Sequence, residues 1–139
     1  VHERRVIRNA QPIVVEHYDY EQGDMLRKTQ NGIVSSRYVK TAIFTLTDAF
    51  IVRSRSVSLI SGEVKNKKIE IPYDSVEEIK VIREDKKLTF NNKEFDLTTD
   101  KLFIRYDNGY KFVTPLHVDI KSKDLETRLL KIIAEHTNS

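Results

Sequence analysis

The residue types that usually carry catalysis or hold metals are present, but their spacing does not assemble a site. Histidines stand at four scattered positions, His2, His17, His117 and His136. His117 and Asp119 are two residues apart, and on a strand this pair would form an exposed polar face. Adjacent carboxylates occur at Glu77-Glu78 and Glu84-Asp85, where acid–base work would need a pocket with other polar groups. Solvated turn residues are the better interpretation of both pairs.

Composition removes further kinds of chemistry. The chain has no cysteine, which excludes a thiolate nucleophile, a thiolate zinc site and a disulfide framework. No serine stands in a nucleophile-elbow pattern, and the four glycines are too dispersed to form a loop that cradles phosphate. We therefore expect no enzymatic activity, no cofactor and no bound metal.

Basic residues form the one set that stands out. From Met25 to Lys68 there are nine basic residues against two acidic ones, whereas from Ile69 to Asp100 nine acidic residues outnumber five basic ones. If the fold separates these segments, the molecule has a positive and a negative side. Arg53 and Arg55 are two apart and share a strand face. The candidate residues for binding an anionic partner are Arg27, Lys28, Arg37, Lys40, Arg53 and Arg55.

Length and charge set the outer bounds. A chain of 139 residues is most simply one domain, and its net charge is only +3. Nucleic acid is a disfavoured partner, because the chain is not strongly basic overall and lacks aromatic residues interleaved with bases. No apolar run approaches the ~18 residues of a membrane span, and Val1–Arg5 lacks the apolar core of a signal peptide. We expect a cytoplasmic location.

β-branched and aromatic residues dominate Ala42–Arg53, which predicts two strands joined by a turn at Thr47-Asp48. Alternation gives each strand one apolar face. The residues that we expect in the core are Phe44, Leu46, Phe50, Val52, Phe103 and Phe112.

Turn residues predict further hairpins, at Asn31-Gly32, Asn91-Asn92 and Asp107-Asn108-Gly109. Ile13–Tyr20 has high strand propensity, and Val64–Lys68 is interpreted as a loop or the start of a strand. Four short strands are expected in the later part of the chain, at Glu78–Ile82, Leu88–Phe90, Lys93–Leu97 and Lys101–Tyr106.

The last segment changes from a period of two to a helical period. Ser122 is a candidate N-cap, and an apolar residue recurs at Leu125, Leu129 and Ile132-Ile133. This pattern predicts one amphipathic helix from about Ser122 to His136. The expected fold is therefore mainly β with a C-terminal α-helix, a pleckstrin-homology-like (PH-like) bent antiparallel sheet or open barrel capped by that helix.

Several of these segments resemble GRAM and bacterial PH-like domains. Phe44–Val52 resembles their Leu-Thr-(Asn/Asp)-x-x-Ile hairpin, and Ile71–Ile79 resembles the Ile-Pro-x-x-x-Ile segment that follows. Asn108–Val113 is similar to a late glycine-aromatic strand, and Leu125–His136 matches the closing helix. The chain departs from the pattern at Ala49-Phe50, where these families often have an arginine after the turn.

The resemblance implies a binding or assembly module, with residues 1–23 as an N-terminal extension that carries one strand and residues 24–139 as the PH-like domain. It transfers no ligand, because such folds host many. We expect a non-catalytic scaffold for protein–protein interaction, with either a homo-oligomer or a separate protein as partner. The alternative is peripheral binding of anionic lipid head groups through the basic residues, since bases near the early strands contact head groups in phosphoinositide-binding PH domains.

Overall fold

The computed structural model describes residues 11–20, 25–30, 32–119 and 121–137. His2, Asn31 and most of the predicted N-terminal extension, residues 1–10 and 21–23, lie outside the described residues. The regular elements of the described part are β1 (Ile13–Tyr18), β2 (Leu26–Thr29), β3 (Gly32–Ser35), β4 (Arg37–Thr45), β5 (Ala49–Ser58), β6 (Val64–Pro72), a 3-10 turn (Tyr73–Ser75), β7 (Val76–Phe90), β8 (Lys93–Tyr106), β9 (Tyr110–Leu116) and α1 (Ser122–Thr137).

The first sheet contains four antiparallel strands in the order β1-β4-β5-β6. The predicted turn at Thr47-Asp48 is present, and the N–H of Leu46 donates to the carbonyl of Ala49 at 2.9 Å to close it. β1 pairs with β4 along its whole length. The sheet therefore takes its first strand from the segment that precedes residue 24.

A separate hairpin, β2–β3, is inserted between β1 and β4. Its base is fixed by two hydrogen bonds: the Ser35 hydroxyl donates to the carbonyl of Asp19 at 2.8 Å, and the Ser36 N–H donates to the carbonyl of Met25 at 2.9 Å. A hairpin is present in this region, as predicted, but Gly32 pairs with Thr29 and belongs to β3, so the predicted turn position was one residue too late.

The second sheet contains β7, β8 and β9 in that order. The β7–β8 turn has φ values of 53° at Asn91 and 62° at Asn92, a left-handed conformation that asparagine tolerates better than most residues. Asp107-Asn108-Gly109 forms the β8–β9 turn, as predicted. β7 and β8 are continuous strands of 15 and 14 residues, and the shorter strands expected there were wrong. Neither glycine nor proline occurs within them to end a strand.

The two sheets and the helix share one core. Helix α1 begins at the predicted Ser122 and packs against β7 and the 3-10 turn. The fully buried residues at the centre of the core are Ile43, Phe50 and Ile71 of the first sheet, Leu102 and Ile104 of the second, and Leu129 of the helix. The predicted fold class, mainly β with open antiparallel sheets and a C-terminal helix, is confirmed.

Buried polar links connect separate elements of the fold. The hydroxyls of Thr41 on β4 and Thr114 on β9 are 2.8 Å apart and join the two sheets. Asp100 on β8 is 2% exposed and accepts hydrogen bonds from Nε and Nη2 of Arg83 at 2.8 and 2.9 Å. These hydrogen bonds from Arg83 lower the pKa of Asp100. Nη2 of Arg83 also donates to the carbonyl of Asp119, just before α1, at 2.7 Å. The link therefore ties β7 and β8 to the segment that leads into α1.

Two of the aromatic residues expected in the core are not fully buried. Phe44 is 36% exposed because β4 buries its odd-numbered residues, Ile43 among them, and Phe44 points to the other side. Leu46 is buried even so, since regular alternation ends with β4 at Thr45. Phe103 is half-buried, with Nζ of Lys80 5.2 Å from its ring centroid.

Candidate anion-binding face

Four basic side chains lie together on the outer side of the first sheet. Cross-strand pairing sets Lys40 opposite Arg55, and Arg53 opposite both Ala42 and Lys68. Alternation directs these side chains away from the core, because their neighbours Val39, Val52 and Ile69 face inward. We call Lys40, Arg53, Arg55 and Lys68 the cationic face.

The cationic face lines a shallow groove of about 450 Å³. The other residues that line this groove are small or polar: Ala42, Ser54, Asn66 and Lys67. A groove of this kind can receive carboxylate or phosphate groups, but it does not enclose a small molecule.

Two acidic residues lie on the same side of the sheet as this face, Glu16 on β1 and Glu70 on β6. Lys40 forms one ion pair, with Nζ 3.9 Å from Oε2 of Glu16 on β1, and both side chains are largely exposed. In the described part of the chain, no side-chain hydrogen bond or ion pair engages Arg53, Arg55 or Lys68. Like charges directly opposite on neighbouring strands destabilise a sheet, so this arrangement costs stability that an anionic partner would restore.

The sequence candidates divide into three groups. Lys40, Arg53 and Arg55 come together, as predicted for the two arginines. Arg37 does not join them, since its odd position puts it on the core side of β4, where Nη1 donates to the Ser56 hydroxyl at 3.2 Å. Arg27 and Lys28 are on β2 and line a different groove, of about 1130 Å³, between the β2–β3 hairpin and the end of the β7–β8 hairpin.

Lys68 was missed because the strand pattern of Lys68–Ile71 predicts no register against β5. Gly62 indicates a turn after β5, but the observed register of β6 on β5 is what sets Lys68 opposite Arg53. A chain that returns antiparallel to a strand with two arginines brings its own bases to the same face.

Exposed apolar side chains border the cationic face on the same side of the sheet. Val14 on β1 is 47% exposed and lies opposite Ala42, next to Arg53. Phe44 follows two residues after Ala42 on β4. This side of the molecule therefore combines positive charge with a small apolar margin.

The described histidines and the paired acids contact other side chains of the fold. His117 lies after the end of β9, not on a strand face, and its ring is 5.5 Å from that of His17. Burial lowers the pKa of His17, and His117 lowers it further. Within residues 11–20, 25–30, 32–119 and 121–137, no three His, Asp or Glu side chains are grouped to hold a metal ion.

The adjacent carboxylates lie on β7, so the expectation of turn residues was wrong. Glu77 accepts from Nε of Arg105 at 3.1 Å and from the N–H of Asn108 at 2.7 Å, which braces the β8–β9 turn. Glu84 is 2.8 Å from Nζ of Lys101, and Asp85 accepts from the Thr98 hydroxyl at 2.7 Å. These acids are engaged in holding the second sheet together.

Comparison with known proteins found no matching family model, no matching curated protein and no matching solved structure. The resemblance to GRAM and bacterial PH-like domains stays a prediction. None of the helical segments in the described residues has the length and apolar character needed to span a membrane.

Proposed function

We propose that this chain is a non-catalytic PH-like binding module that recognises an acidic segment of a partner protein through the cationic face. The observation that carries the proposal is the cluster of Arg53, Arg55 and Lys68 on a regular sheet surface. Within the described part of the chain, none of these three bases forms an ion pair. The cytoplasmic location expected from the sequence belongs to the same proposal.

The geometry suits carboxylates held on an extended chain. Arg53 and Arg55 alternate along β5, so their Cα atoms are separated by about 7 Å, the same repeat that separates every second residue of an extended peptide. Guanidinium groups bind carboxylates through two parallel hydrogen bonds, which adds direction to the attraction. A rigid sheet also positions these groups at little cost in conformational entropy.

A symmetric contact between the cationic faces of two copies is unfavourable. Two cationic faces in contact would place like charges together, which costs several kcal/mol in an interface. The charge of the face therefore favours a separate, acidic protein over self-association at this surface.

The test uses a fluorescent eight-residue peptide of alternating Glu and Thr, with both ends capped, and fluorescence anisotropy as the measurement. We expect binding at low salt that weakens toward physiological salt, because the attraction is screened. The double variant Arg53→Glu with Arg55→Glu should weaken binding about tenfold or more, since each carboxylate loses a charge-assisted hydrogen bond.

The matched control is Lys111→Glu with Lys123→Glu, which changes the net charge equally on β9 and α1. If this control weakens binding as much as the double arginine variant, the peptide responds to total charge and the proposed face is wrong. If the unaltered protein does not bind the peptide at low salt, the proposal fails.

The exposed Val14 and Phe44 beside the cationic face favour one alternative, adhesion to an anionic membrane surface. Each base near such a surface contributes about 1 kcal/mol, and small apolar side chains can enter the head-group region. Cosedimentation with vesicles of phosphatidylserine and phosphatidylcholine tests this. Binding that requires phosphatidylserine and disappears in the double arginine variant would support it, whereas no binding at low salt would remove it.

A further inference from the structure

We infer that the acidic partner segment binds by adding a fifth strand to the first sheet, antiparallel to β6, with its carboxylates over Lys68 and Arg53. The inference rests on the proposed function and specifies how the cationic face is used. It identifies the occupant as a short, extended and acidic stretch of polypeptide.

The open edge of β6 supplies the backbone partners. Among the strands of the described residues, β6 pairs with β5 alone. The N–H of Ser58 donates to the carbonyl of Glu63 at 2.9 Å, so these two residues form a hydrogen-bonded pair at the β5–β6 turn. Such pairs alternate along an antiparallel ladder. The residues whose N–H and C=O groups point away from β5, toward the open edge, are therefore Val64, Asn66 and Lys68.

The β4–β5 pairing gives the same assignment independently. Leu46 and Ala49 form the hydrogen-bonded pair that closes that turn, so odd-numbered residues of β5 bond to β4 and even-numbered residues bond to β6. Ser58 is even-numbered, in agreement with its bond to Glu63.

The side chains along this edge are basic on both sides of the sheet. Lys68 points to the outer side with Arg53, whereas Lys65 and Lys67 have the opposite parity. All of Val64–Lys68 is exposed, and its length of about 17 Å would pair with five or six residues of an extended partner. Lysines on an edge strand discourage pairing with another basic strand, including a second β6, but they complement an acidic one.

The alternation of hydrogen-bonded residues along β6 determines which partner residues place their side chains on the cationic face. Residues directly opposite in an antiparallel hydrogen-bonded pair share a face. A partner residue opposite Lys68 or Asn66 therefore sends its side chain to the cationic face and its own N–H toward β6. Its two sequence neighbours send their N–H groups away into solvent.

Two isomeric versions of the alternating Glu-Thr peptide test which N–H groups of the partner face β6. One probe carries N-methyl groups on its Glu residues and the other on its Thr residues, so charge, length and number of methyl groups are equal. We expect Glu methylation to weaken binding about tenfold or more, since it removes the N–H groups that face β6. Thr methylation should leave the affinity within about twofold of that of the unmethylated peptide.

A variant of the protein gives a second test. Asn66→Pro removes the edge N–H at residue 66 without breaking the β5–β6 ladder, because proline is tolerated where the N–H of an edge strand faces outward. Its control, Asn66→Ala, keeps the N–H. We expect the proline variant alone to lose about tenfold or more in affinity, with circular dichroism used to verify its fold.

The outcomes separate the inference from the proposed function. Strand addition is wrong if the unaltered protein binds both methylated peptides, and the proline variant binds the unmethylated peptide, with the affinity of the unaltered protein for the unmethylated peptide. The cationic face remains supported in that case if the double arginine variant loses binding. If Thr methylation is the damaging change, the carboxylates lie over Lys65 and Lys67 and the placement is contradicted. If the unmethylated peptide does not bind, both proposals fail together. Should Asn66→Pro not fold, the isomeric probes decide alone.

Discussion

The hydrogen bond between Thr41 and Thr114 allows a sharp test of how the two sheets are joined. The two hydroxyl oxygens are 2.8 Å apart, and the residues are 0% and 1% exposed. Thr41 also donates to the Ser54 hydroxyl at 3.2 Å, so Thr114 is the donor in the bond that joins the sheets. Valine has nearly the shape of threonine, so replacing either residue removes a hydroxyl without opening a cavity.

The two single substitutions should differ in cost. Thr41→Val leaves the buried Thr114 hydroxyl without its acceptor, and an unsatisfied buried polar group costs about 1–3 kcal/mol. Thr114→Val leaves Thr41 still donating to Ser54, so its cost should be smaller, about 1 kcal/mol or less.

The double variant provides the decisive comparison. With both hydroxyls replaced by methyl groups, neither position 41 nor position 114 has a hydroxyl that lacks a partner. The Ser54 hydroxyl loses the hydrogen bond from Thr41 in this variant, as it does in Thr41→Val alone. We expect the double variant to be more stable than Thr41→Val alone, although it carries one more substitution. The measurement is the free energy of unfolding from urea denaturation, with an unchanged dependence on urea showing that the unfolded state is comparable.

Additive costs would refute this reasoning. If the double variant loses the sum of the two single losses, the hydroxyls do not interact and the sheets are held by apolar packing alone. If Thr114→Val is the more costly single change, the direction of the bond is the reverse of the one described.

Two further predictions concern the helix and its link to the second sheet. Leu129→Ala should lower the free energy of unfolding by about 2–5 kcal/mol, because Leu129 is fully buried. Its control, Leu130→Ala, is at a position 46% exposed and should change that free energy by less than about 0.5 kcal/mol. Equal effects of the two substitutions in urea denaturation would contradict the packing of α1. Because hydrogen bonds from Arg83 lower the pKa of Asp100 below its ordinary value of 3.8, the charged carboxylate stabilises the fold above that pH and its contribution disappears as the pH falls through the lowered pKa. Asp100→Asn should therefore reduce stability at pH 7, and its difference from the unaltered protein should shrink below pH 3.8; a constant difference down to pH 2 would contradict the prediction.

Local signals in the sequence predicted the elements whose cause is local. Asn91-Asn92 and Asp107-Asn108-Gly109 specify their turns through their tolerance of positive φ, and the spacing of apolar residues specifies α1. The buried side of β4 was predicted wrongly because alternation was extended back from Leu46, which is outside the regular strand. Only pairing with β1 and β5 shows that Ile43, not Phe44, faces the core.

The candidate site was predictable to the extent that it depends on one strand. Arg53 and Arg55 share a face by alternation alone. Arg37 and Lys40 are three residues apart, which on a strand places them on opposite faces, so a single sheet surface does not include both. Lys68 joins the site only through the register of β6 on β5, a long-range property that charge and periodicity do not specify.

The inserted β2–β3 hairpin has a consequence for how much the chain between β1 and β4 can change. In the two main sheets, every other pair of neighbouring strands is consecutive in the chain. β1 and β4 are instead separated by the β2–β3 hairpin, so their pairing closes a loop that contains this whole insertion. Loop-closure entropy grows only with the logarithm of length, so doubling this loop would cost about 0.6 kcal/mol. Homologous or engineered chains should therefore tolerate long insertions or a fused domain between β2 and β3 while keeping both sheets, and a label placed there would leave the opposite edge at β6 untouched.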